Sequence, residues 1–156
     1  MKAFKFKLES VLQLRERAEN EAQQSHAASG RKLEAVLAEL AEAEVECKAL
    51  GEQLANMQKS SFRPAEREIL WKALKYQQEH CTRLTQKADL AVKDLEEKRV
   101  LLLAAQSDRE AMTKLQEKER QEYDQTAEKE EREMIDDLVN ARHSAKRSPA
   151  GSEANR

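Results

Sequence analysis

Apolar positions in this chain recur at alternating intervals of three and four. Leu33, Val36, Leu40, Ala43, Cys47, Leu50, Leu54 and Met57 form one unbroken series, the a and d positions of a heptad. A second series runs through Leu70, Leu74, Gln77, Cys81, Leu84, Ala88, Ala91, Leu95, Lys98, Leu102, Ala105, Arg109 and Met112. Leu115 then arrives one place early, which predicts a slip of the heptad and local overwinding of the coil. Stripes this narrow bury one side of a helix against one or two partner helices, not against a globular core. Gln77, Lys98 and Arg109 weaken the second stripe, and polar residues at such positions can fix register.

Helix breakers are almost absent. Prolines stand only at Pro64 and Pro149, glycines only at Gly30, Gly51 and Gly151. The one plausible internal turn is Lys59-Ser60-Ser61-Phe62-Arg63-Pro64, where serines can cap and proline fits a helix's first turn because its missing N–H had no partner there. Glu66 and Glu68 follow, placing negative charge where the helix dipole favours it. The pattern therefore predicts an all-α fold of two long helices in an antiparallel coiled-coil hairpin over residues 1–142. Helix one covers about 6–60, the turn about 59–65 and helix two about 65–142, and the composition after Arg142 predicts a disordered tail over 143–156.

A turn near residue 62 pairs residues whose numbers sum to about 125, which sets Leu54 near Leu70 and Trp71, Cys47 near Gln77 to Cys81, and Val36 near Ala88 to Leu90. Apolar seam then meets apolar seam. The same register sets the basic first 17 residues (Lys2, Lys5, Lys7, Arg15 and Arg17 against Glu9 and Glu16) beside the acidic stretch after Asp108, a complementarity that supports it. Helix two outruns helix one. Its excess, from Gln121 to Arg142, opens with a charged run and ends in Met134, Ile135, Leu138 and Val139, an apolar patch with no partner inside the hairpin. A homodimer zipped through the same seams is the alternative architecture.

Composition agrees with long helices. Ala, Glu, Lys, Leu and Arg fill 93 of the 156 positions, above the roughly 50% that marks coiled coils. Aromatics make up only 4%, too little bulky material for a deep catalytic pocket. With 28 Lys and Arg against 30 Asp and Glu, no global field exists to hold nucleic acid or an anionic membrane. The longest apolar run, Val100 to Ala105, is six residues, far below the ~20 that span a bilayer. Phe4 and Phe6 alternate with Lys5 and Lys7 instead of forming the apolar segment of a signal peptide. A soluble protein of a reducing cytoplasm is the expectation.

No enzyme constellation is present: there is no Gly-rich phosphate loop, HExxH or GxSxG, and His26, His80 and His143 stand apart from one another. No catalytic residue, metal ligand or cofactor is expected. Cys47 and Cys81 lie at seam positions, where small buried thiols pack as hydrophobes. Phe62, Trp71 and Tyr76 fall at the turn end, Phe4 and Phe6 at the open end. They either close the hairpin or, since Trp and Tyr exposed on two helices make effective anchors, receive a partner.

The N-terminal string Phe4-x-Phe6-x-Leu8-Glu9-x-Val11-Leu12-x-x-Arg15 resembles the opening of the flagellar export protein FliJ family. Thr85-Gln86-Lys87-Ala88-Asp89-Leu90-Ala91-Val92-Lys93 with Glu97-Lys98 is similar to the family's middle segment. Lys129-Glu130-Glu131-Arg132 with Asp136-Asp137 resembles its C-terminal charged signature, Arg132 and Asp137 standing where Lys and Glu are more usual. The resemblance covers about residues 4–142.

It implies a non-catalytic stalk of the flagellar type III export apparatus, similar to the γ-subunit coiled coil of rotary ATPases. Such a stalk acts in the cytoplasm at the inner membrane, reaching it only through its partners. Those partners are a hexameric export ATPase (FliI-like), an export gate protein (FlhA-like) and export chaperones. Carried onto this chain, the ATPase contact involves Lys5, Lys7, Arg15, Arg17, Arg120, Arg132, Met134 and Leu138. The gate contact involves Leu50, Leu54, Met57, Leu70, Trp71, Ala73 and Gln77. The equivalent stalk of a virulence type III secretion system, the YscO group, is the nearest alternative.

Overall fold

The computed structural model describes residues 3–147. Two antiparallel helices, α1 (Glu9–Met57) and α2 (Pro64–Arg147), form the hairpin that the heptads predict. No helix among the described residues is long and apolar enough to cross a membrane.

The helix ends differ in detail from the sequence expectation, and each difference has a local cause. α1 begins at Glu9, not near residue 6: residues 3–6 form no regular secondary structure, Lys7 and Leu8 turn, and Phe6 is buried; the Glu9 amide donates to the Phe6 carbonyl at 3.4 Å. At the other end α1 stops at Met57. There the Lys59 amide donates to Asn56 O at 3.1 Å and the Ser60 amide to Met57 O at 3.4 Å, the tightened bonding that closes a last turn. Pro64 occupies the first helical position of α2, and the Arg63 carbonyl accepts from the amides of Glu66 and Arg67 at 3.0 and 3.3 Å.

α2 does not end at Arg142. It continues to Arg147, so residues 143–147 are helical and not part of a disordered tail; 148–156 lie outside the described residues. The sequence His143-Ser144-Ala145-Lys146 contains no breaker, and Ser144 folds its hydroxyl back onto the Asn140 carbonyl at 2.9 Å, satisfying it within the helix.

The chain divides into two compact units. One comprises residues 14–109, the other residues 1–13 with 110–156. In the first, Val36, Ala43, Leu84 and Ala88 are buried together with Ser29 and Gln77. Alanines at two of these seam positions allow close backbone approach, so the Gln77 amide reaches across to donate to Ala43 O at 3.2 Å and Glu46 Oε2 at 3.0 Å. The Ser29 hydroxyl donates to the Asp94 carboxylate, Arg109 Nε to Glu19 Oε2 at 2.6 Å, and Arg15 to Asp108 at 2.9 Å. All these pairs sum to within a few residues of 125, as the turn position predicts.

In the second unit Phe6 and Leu12 are buried, the Phe4 and Tyr123 rings lie 5.6 Å apart at a 53° tilt, and Gln116 donates to Glu9 at 3.1 Å. The expected slip at Leu115 does not occur. Leu115 is 37% exposed, while Gln116, Glu119 and Tyr123 carry the heptad on as the less exposed positions. Cross-helix contacts by Gln116 and Tyr123 hold the register where an apolar residue was expected to.

Two stability measurements check this packing. Leu84→Ala removes a buried seam leucine, 5% exposed, and should cost about 2 kcal/mol in denaturant unfolding, the low end of core truncations because water can enter a two-helix seam. Gly51→Ala should instead stabilise by about 0.5–1 kcal/mol, since a Cβ at this helical position meets nothing within 4 Å.

Candidate docking surfaces

What the hairpin leaves uncovered decides where it can bind. In the unit of residues 14–109, the turn end carries Phe62, Pro64, Arg67, Glu68 and Trp71 around a shallow concavity. Trp71 is 51% exposed, with Lys75 Nζ 5.5 Å from its ring centroid. The Arg67 guanidinium sits 5.7 Å from the Phe62 ring and that of Arg83 5.8 Å from Tyr76. These cation–π contacts orient three aromatic faces without covering them. Sequence reasoning found the aromatics but not the cations over them, although the i, i+4 spacing of Trp71 and Lys75 carried that signal.

Of the other residues expected to meet an export gate, Leu50, Leu54, Met57, Leu70 and Ala73 are half-buried along the seam. Gln77 departs from the expectation. It is 8% exposed and its amide is committed to Ala43 and Glu46, so its side chain serves the hairpin's register and offers nothing outward. Arg15 and Arg17 belong to this unit too; Arg17 is exposed, whereas Arg15 is engaged by Asp108.

The second unit presents the remaining expected ATPase-contact residues. Lys5, Lys7 and Arg120 are exposed, and Phe4, Lys5, Phe6, Glu9, Gln116, Glu117 and Arg120 line a groove between the N-terminal segment and α2, a feature the heptad reading did not foresee. Beyond Ala127 every described side chain of α2 is exposed. Arg132 pairs with Glu128 one turn back at 3.3 Å. Met134, Ile135, Leu138 and Val139 are all exposed as one patch, the unpartnered apolar face the sequence anticipates, with Glu130, Glu133 and Asp137 bordering it.

Cys47 and Cys81 are free, half-buried thiols. Partial burial pushes the Cys81 thiol above its ordinary value, with Cys47 and Glu44 adding to the shift. The protonated form is favoured, which suits packing and not nucleophilic chemistry.

No curated protein matches the chain. Among solved structures, a Chlamydia trachomatis protein described as a YscO homolog superimposes with a TM-score of 0.64 at 20% identity, covering 93% of this chain and 100% of that one. That likeness is one of fold. The model of the flagellar FliJ protein family matches residues 4–148, nearly the whole length of the chain. The chain therefore belongs to the flagellar FliJ protein family.

Proposed function

We propose that this protein is the non-catalytic stalk of the flagellar type III export apparatus, coupling a hexameric, FliI-like ATPase to a FlhA-like export gate and escorting export chaperones. The observation that carries the reading is the exposed patch of Met134, Ile135, Leu138 and Val139 on a length of α2 that α1 does not cover. An apolar helix face of this kind is suited to a groove in a partner. Each such side chain contributes ~1.5–3 kcal/mol when buried, against the entropy lost on association. Basic Lys5, Lys7 and Arg120 complete the ATPase-facing set, and the aromatic turn end faces the gate. The protein works in the cytoplasm at the inner membrane, held there by its partners.

A homodimer zipped through the heptad seams is disfavoured, because those seams are occupied within the chain. The YscO-like fold supports a second reading, the stalk of a virulence secretion system. Complementation of a flagellar deletion strain for swimming distinguishes the two.

Two experiments test the coupling. A chain ending at Ala127 keeps the Phe4–Tyr123 contact but lacks the patch; it should fold yet fail to stimulate ATP hydrolysis by the ATPase hexamer, and full stimulation would remove the patch from the docking element. Trp71→Ala should weaken binding to the gate protein by ~2 kcal/mol, the scale of an aromatic hot spot, while ATPase stimulation persists.

A further inference from the structure

The chain has only two cysteines, thirty-four residues apart in sequence, and the unit of residues 14–109 brings both onto one seam from opposite helices. Cys47 follows Glu46, whose carboxylate accepts from the Gln77 amide at 3.0 Å, and Cys81 lies about one helical turn beyond Gln77. The Lys87–Glu39 pair, at 3.8 Å, bounds the same stretch on its other side. The two sulfurs therefore face each other across the seam within about one turn, and the thiols are in hydrogen-bonding reach of one another. Both are half-buried, sheltered by the seam yet open to a small molecule.

The side chains around the pair leave room for a bond. Ala43, buried beside it, presents a single methyl group, and its carbonyl already receives the Gln77 amide from across the seam at 3.2 Å. Disulfides accept only a narrow range of Cα separations, and a slip of one heptad would carry one cysteine about 10 Å past the other. Only the native alignment of the hairpin can close the bond.

We propose that Cys47 and Cys81 form a reversible intramolecular disulfide that staples α1 to α2 on the turn side of the buried centre. The oxidant is a low-molecular-weight disulfide. One cysteine thiolate attacks a sulfur of that molecule, giving a mixed disulfide and releasing one small thiol; the second cysteine then attacks the protein sulfur and releases the other half. Two protein thiols and one small disulfide become one protein disulfide and two small thiols, with the cysteine protons passing to the departing thiolates. Burial favours the protonated Cys81 thiol, so closure is slow at neutral pH and quickens as pH rises. Once closed, the bond holds together the half-covered seam residues Leu50, Leu54, Met57, Leu70 and Leu74 on its turn side.

The full chain, equilibrated in glutathione buffers of rising disulfide content, blocked with iodoacetamide and weighed intact, tests this. The expected product is a single chain that takes up no blocking group, has two hydrogens fewer than the reduced form, and yields on digestion a peptide joining Cys47 to Cys81. The glutathione disulfide level that closes half the chains should be about tenfold lower for the folded chain than in guanidinium chloride, because the hairpin has already brought the thiols together. Backbone hydrogen exchange over residues 48–57 and 64–80 should slow about tenfold on closure, while that of residues 20–40 stays unchanged. Cys47→Ser and Cys81→Ser, each checked for helical content by circular dichroism, should show no such slowing under the same oxidation. Thiols that stay open to iodoacetamide, stable glutathione adducts on the separate cysteines, or links between chains each overturn the proposal. So does closure that is no easier in the folded chain than in guanidinium chloride, or that leaves exchange at the turn end unchanged.

Discussion

Two helices that meet along a single seam can each bury only one side, and the other features of this protein follow from that limit. Among the described residues the buried apolar set is Phe6, Leu12, Val36, Ala43, Leu84 and Ala88, with no large side chain completely enclosed. A core this thin leaves most of each helix facing water. It also makes register the quantity most in need of protection, since a seam of Leu and Ala repeats tolerates a shift by one heptad almost as well as the native alignment.

Polar contacts supply what the apolar repeat lacks. The Gln77 amide can reach Ala43 O and Glu46 together in only one alignment, and Arg109 at a seam position finds Glu19 in the same alignment. Such groups contribute little net stability, yet a shifted register would strand them partly buried and unpaired, at a cost of about 1–3 kcal/mol each. Arg109 and Glu19 thus work as a register key, as do Ser29 and Asp94. The seam's nominal defects are its alignment marks.

Much of this was legible in the sequence. Heptad spacing gave both helices, the scarcity of Pro and Gly gave their length, and Pro64 gave the turn, because all three are local properties of the chain. Cross-helix facts were less accessible. Leu115 was expected in the seam since hydrophobicity is what a periodicity reading weighs, whereas Gln116 and Tyr123 hold the position through contacts with Glu9 and Phe4 that no local pattern encodes. Gln77 was legible as a polar seam residue able to fix register, and only the resemblance carried it to the gate contact; its acceptors, Ala43 O and Glu46, come into view once the two helices are placed. The exposed patch near Met134 was foreseeable because it depended only on α2 being the longer helix.

One consequence follows from where the burial is concentrated in the unit of residues 14–109. Val36, Ala43, Leu84 and Ala88 are buried, but toward the turn Cys47, Leu50, Leu54, Met57, Leu70 and Leu74 are only half-covered. Backbone amides on those last turns are protected by fewer packed neighbours, so their opening free energy lies well below that of the centre. The turn end can fray and reclose while the alignment marks at Gln77, Ser29 and Arg109 stay engaged. The hairpin is therefore mechanically graded, stiff where register is set and compliant where its aromatic faces are displayed.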